Sequence, residues 1–233
     1  MALVKFGGGI IQLSGSIAGN TFARNRFGNY IRPRTKPVNP NSSNQSNVRE
    51  SLSYLTEHWH STLTPEQRIA WGTYAAAIAM KNRLGEVVYL TGFNHFIRSN
   101  VERKRHALTV IVAGPSELAL PEKDPTFEVT GSAATNKLSV VLDNTLGWAN
   151  ETGGYLMVYQ GVPQLATRNF FGGPWRYTDK VDGDDAVPPT SPAEMDPPFT
   201  LVEGQKVFMY ARVVRLDGRL SEPFYADPFA VGA

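Results

Sequence analysis

The sequence predicts an α+β chain in three parts: an extended N-terminal β arm, a small three-helix unit and a C-terminal β-sandwich. Three observations lead there. Charge is divided along the chain: seven Lys and Arg and no carboxylate precede Glu50, whereas residues 107–233 hold 9 Lys and Arg against 16 Asp and Glu, a formal −7 within a total of +2. Hydrophobic residues recur with helical spacing between residues 41 and 106 and alternate with a period of two after residue 123. Glycine interrupts the apolar residues of the first 40 positions too often for either pattern to continue.

The arm, residues 1–40, has short apolar stretches at Leu3-Val4, Ile10-Ile11, Ile17, Thr21-Phe22 and Tyr30-Ile31, separated by Gly7-Gly8-Gly9, Gly15, Gly19 and Gly28. This is hairpin spacing with too few side chains for a core, so these strands are expected to need something to pair with. Pro33, Pro37 and Pro40 each lack a backbone donor and push the preceding residue towards extended backbone, giving a stiff linker.

Residues 41–106 form the helical unit. A first helix starts near Asn44 with Val48, Leu52, Leu55 and Trp59 on one face, and ends before Thr62. The second has a capping box, Thr64 with Gln67, and Pro65 at its first position. Trp71, Tyr74 and Ile78 form its inward stripe, and Gly85 marks a turn after it. Val87 to Leu90 reads as a short strand or apolar connection. Thr91 caps a third helix with Phe93, Phe96, Ile97 and Val101 inward and Arg98, Arg103, Lys104 and Arg105 outward. Residues 107–123 read as a linker.

From 124 to 233 the alternation at Phe127-Val129, Leu138-Val140-Leu142, Tyr155-Met157-Tyr159 and Val207-Met209-Ala211-Val213 predicts strands near 126–130, 137–142, 154–160, 174–178, 198–202, 206–215 and 220–226. Their number and the domain length match an immunoglobulin-like or fibronectin-type-III-like sandwich, and the absence of Cys excludes the disulfide-bonded antibody version.

The lack of Cys also excludes thiolate metal sites and cysteine nucleophiles. No run of 18 apolar residues is present, so no helical membrane span is expected, and the glycine-broken start does not read as a signal peptide. His58 and His60 point about 200° apart on a helix and cannot share a metal ion. His95 and His106 read as solvent-facing or helix-end residues. Asp179, Asp182, Asp184 and Asp185 are spaced like calcium-loop oxygens but lack the closing bidentate Glu, so a solvated loop is expected. No Gly-x-Ser-x-Gly elbow and no phosphate-binding loop occur. The sequence thus predicts no catalytic residue, cofactor or small-molecule substrate, and no enzyme.

The candidate partner-binding residues are Phe22, Arg24, Arg26, Phe27, Tyr30, Arg32, Arg34 and Lys36. Cations interleaved with aromatics suit acidic protein surfaces, including the −7 domain of another copy, or phosphates and bases; the protein partner is favoured over nucleic acid. On an extended strand Arg24 and Arg26 share one face with Phe22, and Arg32 and Arg34 share one face. A third reading, glycan binding through Trp148, Tyr155, Trp175 and Tyr177, competes with a core role for the same aromatics.

Four segments resemble a family of uncharacterised proteins from tailed phages and prophages: Ser14 to Arg34 (SGSIAGNTFARNRFGNYIRPR), Pro37 to Asn41 (PVNPN), Leu63 to Trp71 (LTPEQRIAW) and Leu90 to Asn100 (LTGFNHFIRSN). The resemblance covers about the first 100 residues. It implies a virion component, made in the host cytoplasm, whose partners are copies of itself and other virion proteins, at a capsid, neck or tail location.

Overall fold

A computed structural model describes residues 2–36, 38–82 and 84–233. Pro37, one of the three linker prolines, lies outside them. The described residues form an α+β chain with strands β1 (Ala2–Val4), β2 (Gly15–Ile17), β3 (Asn20–Asn25) and β4 (Gly28–Pro33), followed by helices α1 (Ser43–Ser61) and α2 (Pro65–Ala77). Strands β5 (Ala79–Lys81) and β6 (Val87–Tyr89) then lead to α3 (Gly92–Arg105). The remainder is β: β7 (Glu128–Ser132), β8 (Lys137–Val141), β9 (Tyr155–Gly161), β10 (Trp175–Asp182), β11 (Ala193–Met195), β12 (Lys206–Val207), β13 (Met209–Val214), β14 (Phe224–Tyr225) and β15 (Phe229–Ala230).

The leading segment is not one extended strand. Its strands pair with one another as an antiparallel sheet of order β1-β4-β3-β2, because two-residue turns at Ala18-Gly19 and Arg26-Phe27 fold the chain back on itself.

The helices begin where capping chemistry places them. The hydroxyls of Ser42, Thr64 and Thr91 accept from the backbone N–H of Gln45, Gln67 and Asn94, and Gln67 returns a bond to the Thr64 N–H. Leu55, Leu63, Trp71, Tyr74, Ile78 and Phe96 make the helical core. In α1, Ser51 takes the inward place expected for Leu52, which lies 40% exposed. α3 and the segment after it both approach α2 closely: a Cβ at Gly92 would sit 2.7 Å from the Gly72 nitrogen, and one at Gly114 would sit 2.6 Å from the Trp71 nitrogen, so both positions require glycine.

Residues 107–123 carry no helix or strand, yet they are docked. The Asn100 side chain donates to the Ile111 carbonyl at 3.0 Å and accepts from the Ile111 N–H at 2.8 Å, so it pairs with that peptide from both sides. The Trp71 indole donates to the Val112 carbonyl. Val110, Val112 and Leu120 pack on the helical core, while Leu108 packs on the β half.

In the β half, a three-stranded sheet of order β11-β8-β7 and a four-stranded sheet of order β10-β9-β13-β14 share one core. Leu138, Val140 and Met195 from the first meet Leu156, Val158, Met209, Ala211 and Val213 from the second. No strand forms at 198–202; β11, at 193–195, pairs with β8 instead. On the other face of the four-stranded sheet, Tyr155, Met157, Tyr159, Val214 and Leu220 form a separate cluster with Leu108.

That outer cluster is where α3 docks, and two of its arginines do not point to water as their spacing suggests. Arg98 donates to the carbonyls of Leu220 and Ser221 at 2.6 and 2.7 Å. Burial lowers the Arg98 pKa to about 10, which leaves it charged near neutral pH. Arg103, 8% exposed, donates to the Thr109 carbonyl at 2.7 Å and the Tyr155 hydroxyl at 2.9 Å and lies over the Tyr155 ring. Helical spacing alone cannot register this, because the surface that claims both arginines comes from residues more than fifty positions away.

His95 is likewise buried and not solvent-facing: it meets Tyr74 edge to face at 5.1 Å, and neither ring nitrogen has a hydrogen-bond partner. Burial, aided by the positive charge of Arg98, lowers its pKa to about 4.

Two outcomes follow. Arg103→Met leaves the Thr109 carbonyl and the Tyr155 hydroxyl without their donor, and should cost about 2 kcal/mol or more in urea unfolding; an unchanged midpoint would remove Arg103 from the interface account. The unfolded chain protonates His95 near its ordinary pKa, but the folded chain resists until about pH 4. Stability from this residue is therefore intact above about pH 6.5 and falls as the pH drops from there to about 4. The loss of urea stability between pH 7 and pH 4.5 should be smaller in His95→Leu than in wild type; equal losses would show that His95 is not the group responsible.

Candidate assembly surface on the N-terminal sheet

No described residue from Ala2 to Glu50 is buried. The N-terminal sheet therefore holds its shape by backbone pairing and turn chemistry. At the β3–β4 turn, Asn25 Oδ1 accepts from the Phe27 N–H at 2.9 Å, and Gly28 takes a φ of +123°. Ser16 and Thr21 join their hydroxyls across β2 and β3 at 2.9 Å, and the Arg34 N–H bonds to the Gly19 carbonyl.

Register sorts the candidate residues onto two faces. Phe22 lies opposite Ile31, and Arg24 opposite Asn29, which in turn faces Val4; these share one side. Tyr30 lies between Ala23 and Leu3, and Arg32 opposite Thr21, on the other side. Arg24 and Arg26 do not share a strand face as expected, and Arg34 lies beyond the last residue of β4. Arg26 and Phe27 occupy the turn, where the period of two is broken, and Arg34 and Lys36 follow the end of β4. The cations thus surround the sheet.

Among the described residues, none of Arg24, Arg26, Arg32, Arg34 and Lys36 forms an ion pair; the one side-chain bond from this set runs from Arg24 to Gln12 at 3.3 Å. Lys5 is the exception in the segment. It pairs with Glu86, whose carboxyl is held below the usual range by Lys5 and then by Asn82. Beside that pair an open cleft of about 520 Å³ separates the sheet from the β5–β6 hairpin, with Leu3 and Phe27 on one wall and Val88 and Leu90 on the other. Lys5 and Leu3 went unrecognised in the sequence because their partners lie some eighty residues away. The sheet has β2 as one free edge, with Ile17 68% exposed.

The other candidate residues lie apart from this surface. His58 stacks on Tyr54, and His60 meets Phe93. In the acidic loop, Asp182 pairs with Lys180, Asp184 accepts from the Ala186 and Val187 N–H groups, and Asp185 accepts from the Thr152 hydroxyl. Among the described residues no three His, Asp or Glu side chains converge to hold a metal ion, and no helix is long and apolar enough to cross a membrane. Trp148 and Tyr155 are buried, whereas Trp175 and Tyr177 are half-buried.

No family model, curated protein or solved structure matches the chain. The likeness to tailed-phage proteins rests on the quoted residues alone.

Because the sheet adds no side chain to either core, a chain beginning at residue 39 should unfold in urea at the same midpoint as the full chain. A clearly lower midpoint would mean that the sheet supports the body, and would argue against its being kept for an external contact.

Proposed function

We propose that this chain is a structural component of a phage virion, which assembles through its N-terminal sheet and displays its C-terminal domain outward. One observation carries the reading: a sheet with no buried side chain, five unpaired cations, no carboxylate and a free edge at β2 that exposes Ile17. A protein surface of this kind is incomplete by itself. A neighbouring subunit that adds a strand at β2 would satisfy the free backbone groups and cover Ile17. The surrounding arginines would set orientation against an acidic surface, and the −7 half of another copy is one.

The displayed domain is read as an immunoglobulin-like sandwich of the fibronectin-type-III kind. Support comes from strand order: three strands, β11-β8-β7, share a core with four, β10-β9-β13-β14. Consecutive strands pair antiparallel within each sheet, β7 with β8 and β9 with β10, and the chain crosses between sheets from β8 to β9 and from β10 to β11, which fits the same reading.

The runner-up, nucleic-acid binding through the basic segment, is favoured by Tyr30 and Arg32 on one face of the sheet, with Phe27 and Arg26 at the β3–β4 turn. Sedimentation separates the two. The full chain should associate with rising concentration in 150 mM salt, the chain lacking residues 2–36 should stay monomeric, and Arg24→Glu with Arg32→Glu should weaken association. Equal association with and without the segment would sink the assembly reading. Tight binding to duplex DNA that falls steeply with added salt, by a chain that stays monomeric, would favour the alternative.

A further inference from the structure

Register brings one tyrosine from each strand of the four-stranded sheet into a single row. Tyr177 of β10 faces Tyr159 of β9, Tyr159 faces Tyr210 of β13, and Tyr210 faces Tyr225 of β14. The neighbouring pair Val158 and Ala211 belongs to the core, so the row lies on the opposite, outer side. Tyr159 and Tyr210 stack with centroids 4.6 Å apart and planes within 7°. Trp175 meets Tyr210 edge to face at 4.9 Å and lies across from Gly161. A side chain at Gly161 would collide with Phe171, which covers that position and braces Trp175 at 4.9 Å.

The row is graded. Tyr225 at one end is 63% exposed, and Tyr159 is buried. At the other end His106 stacks on Tyr177 at 3.8 Å, and Glu102 and Arg105, joined at 2.8 Å, complete the wall where α3 ends. Between wall and sheet lies a groove of about 280 Å³. Arg105 Nε is buried at this junction without a hydrogen-bond partner, and His106 Nε2 lies 3.6 Å from Glu102. Burial raises the pKa values of Tyr159, Tyr177 and Tyr210, the last to about 12, so these phenols keep their protons near neutral pH.

We propose that this groove binds a neutral oligosaccharide, with a pyranose ring packed into the corner between Trp175 and Tyr210 and its hydroxyls bonded at the Glu102–Arg105 wall. The chemistry of each part matches. The C–H face of a pyranose is apolar and fits an aromatic surface, while its hydroxyls both donate and accept. They need an acceptor-only carboxylate beside a donor-only guanidinium, which is what the wall supplies. An aromatic sheet face could also stack nucleobases, but the groove's lining offers two arginines, one of them paired with Glu102, too few to track a phosphate backbone. The groove is lined by α3, the outer face of the sheet and Asn44 of α1, with no residue of the N-terminal sheet, so the inference stands independently of the assembly reading.

The test is an array of neutral oligosaccharides probed with the full chain, followed by calorimetric titration of any that bind, together with (dT)12. At least one neutral glycan should bind saturably. Tyr225→Ala, at an exposed position, should weaken it while leaving the urea midpoint unchanged, and Trp175→Ala should weaken it by about tenfold or more. Glu102→Gln should also weaken it. Absence of binding across the array, binding indifferent to both Tyr225→Ala and Glu102→Gln, or preferential binding of (dT)12 would each overturn the proposal. Loss of self-association on deleting residues 2–36, with glycan binding retained, is expected.

Discussion

The two halves of the body depend on charged groups of one helix reaching into the surface of a sheet. Arg98 ends on two carbonyls just before β14, and Arg103 joins the connecting segment at Thr109 to the first residue of β9 at Tyr155. Each guanidinium carries several donors in a fixed plane, so one side chain can satisfy acceptors from separate stretches of chain. Removing any partner would strand a buried donor or carbonyl, which makes the contact sensitive to geometry in a way that an apolar contact is not. The docked connection strengthens this junction. Arg219, almost fully buried, pairs with Asp217 and Glu117 and so ties the β14 approach to residues 107–123.

The same docking shapes the outer face of the four-stranded sheet. Leu108 and Arg103 cover the end that carries Tyr155 and Met157, but α3 stops short of the other end. Aromatic side chains fill the uncovered part. A sheet with both faces buried along β9 can be apolar throughout, and β9 is buried at every position. The neighbouring β10 alternates instead, and the aromatics there are left half-exposed because no further element arrives to cover them. The groove is thus a consequence of where the helix ends.

The N-terminal sheet follows the opposite principle. Backbone bonds and turns define it, yet it hides no side chain, and among the described residues its one ionic tie to the body is Lys5 with Glu86. Exposed ion pairs of this kind contribute little to stability. A four-stranded sheet without a core, held at one corner, is well suited to exchange its present solvent contacts for a partner.

Local chemistry settled much of this from the sequence. The helix starts at Ser42, Thr64 and Thr91, the inward positions of Leu55, Trp71, Tyr74 and Phe96, and the alternation of β8 and β13 all depend on neighbours within a few residues, and the residue pattern therefore carries them. What only the tertiary structure decided are the features whose partners lie far along the chain. Arg98, Arg103 and His95 look polar and outward on a helical wheel, and become interior only because a sheet and a neighbouring helix close over them. The N-terminal strands were legible as strands but not as mates of one another, since hairpin pairing and strand exchange use the same residues. The tyrosine row was invisible for a related reason. Tyr159, Tyr177, Tyr210 and Tyr225 are scattered over 67 positions, and only strand register, set by turns and core packing together, brings them onto one line.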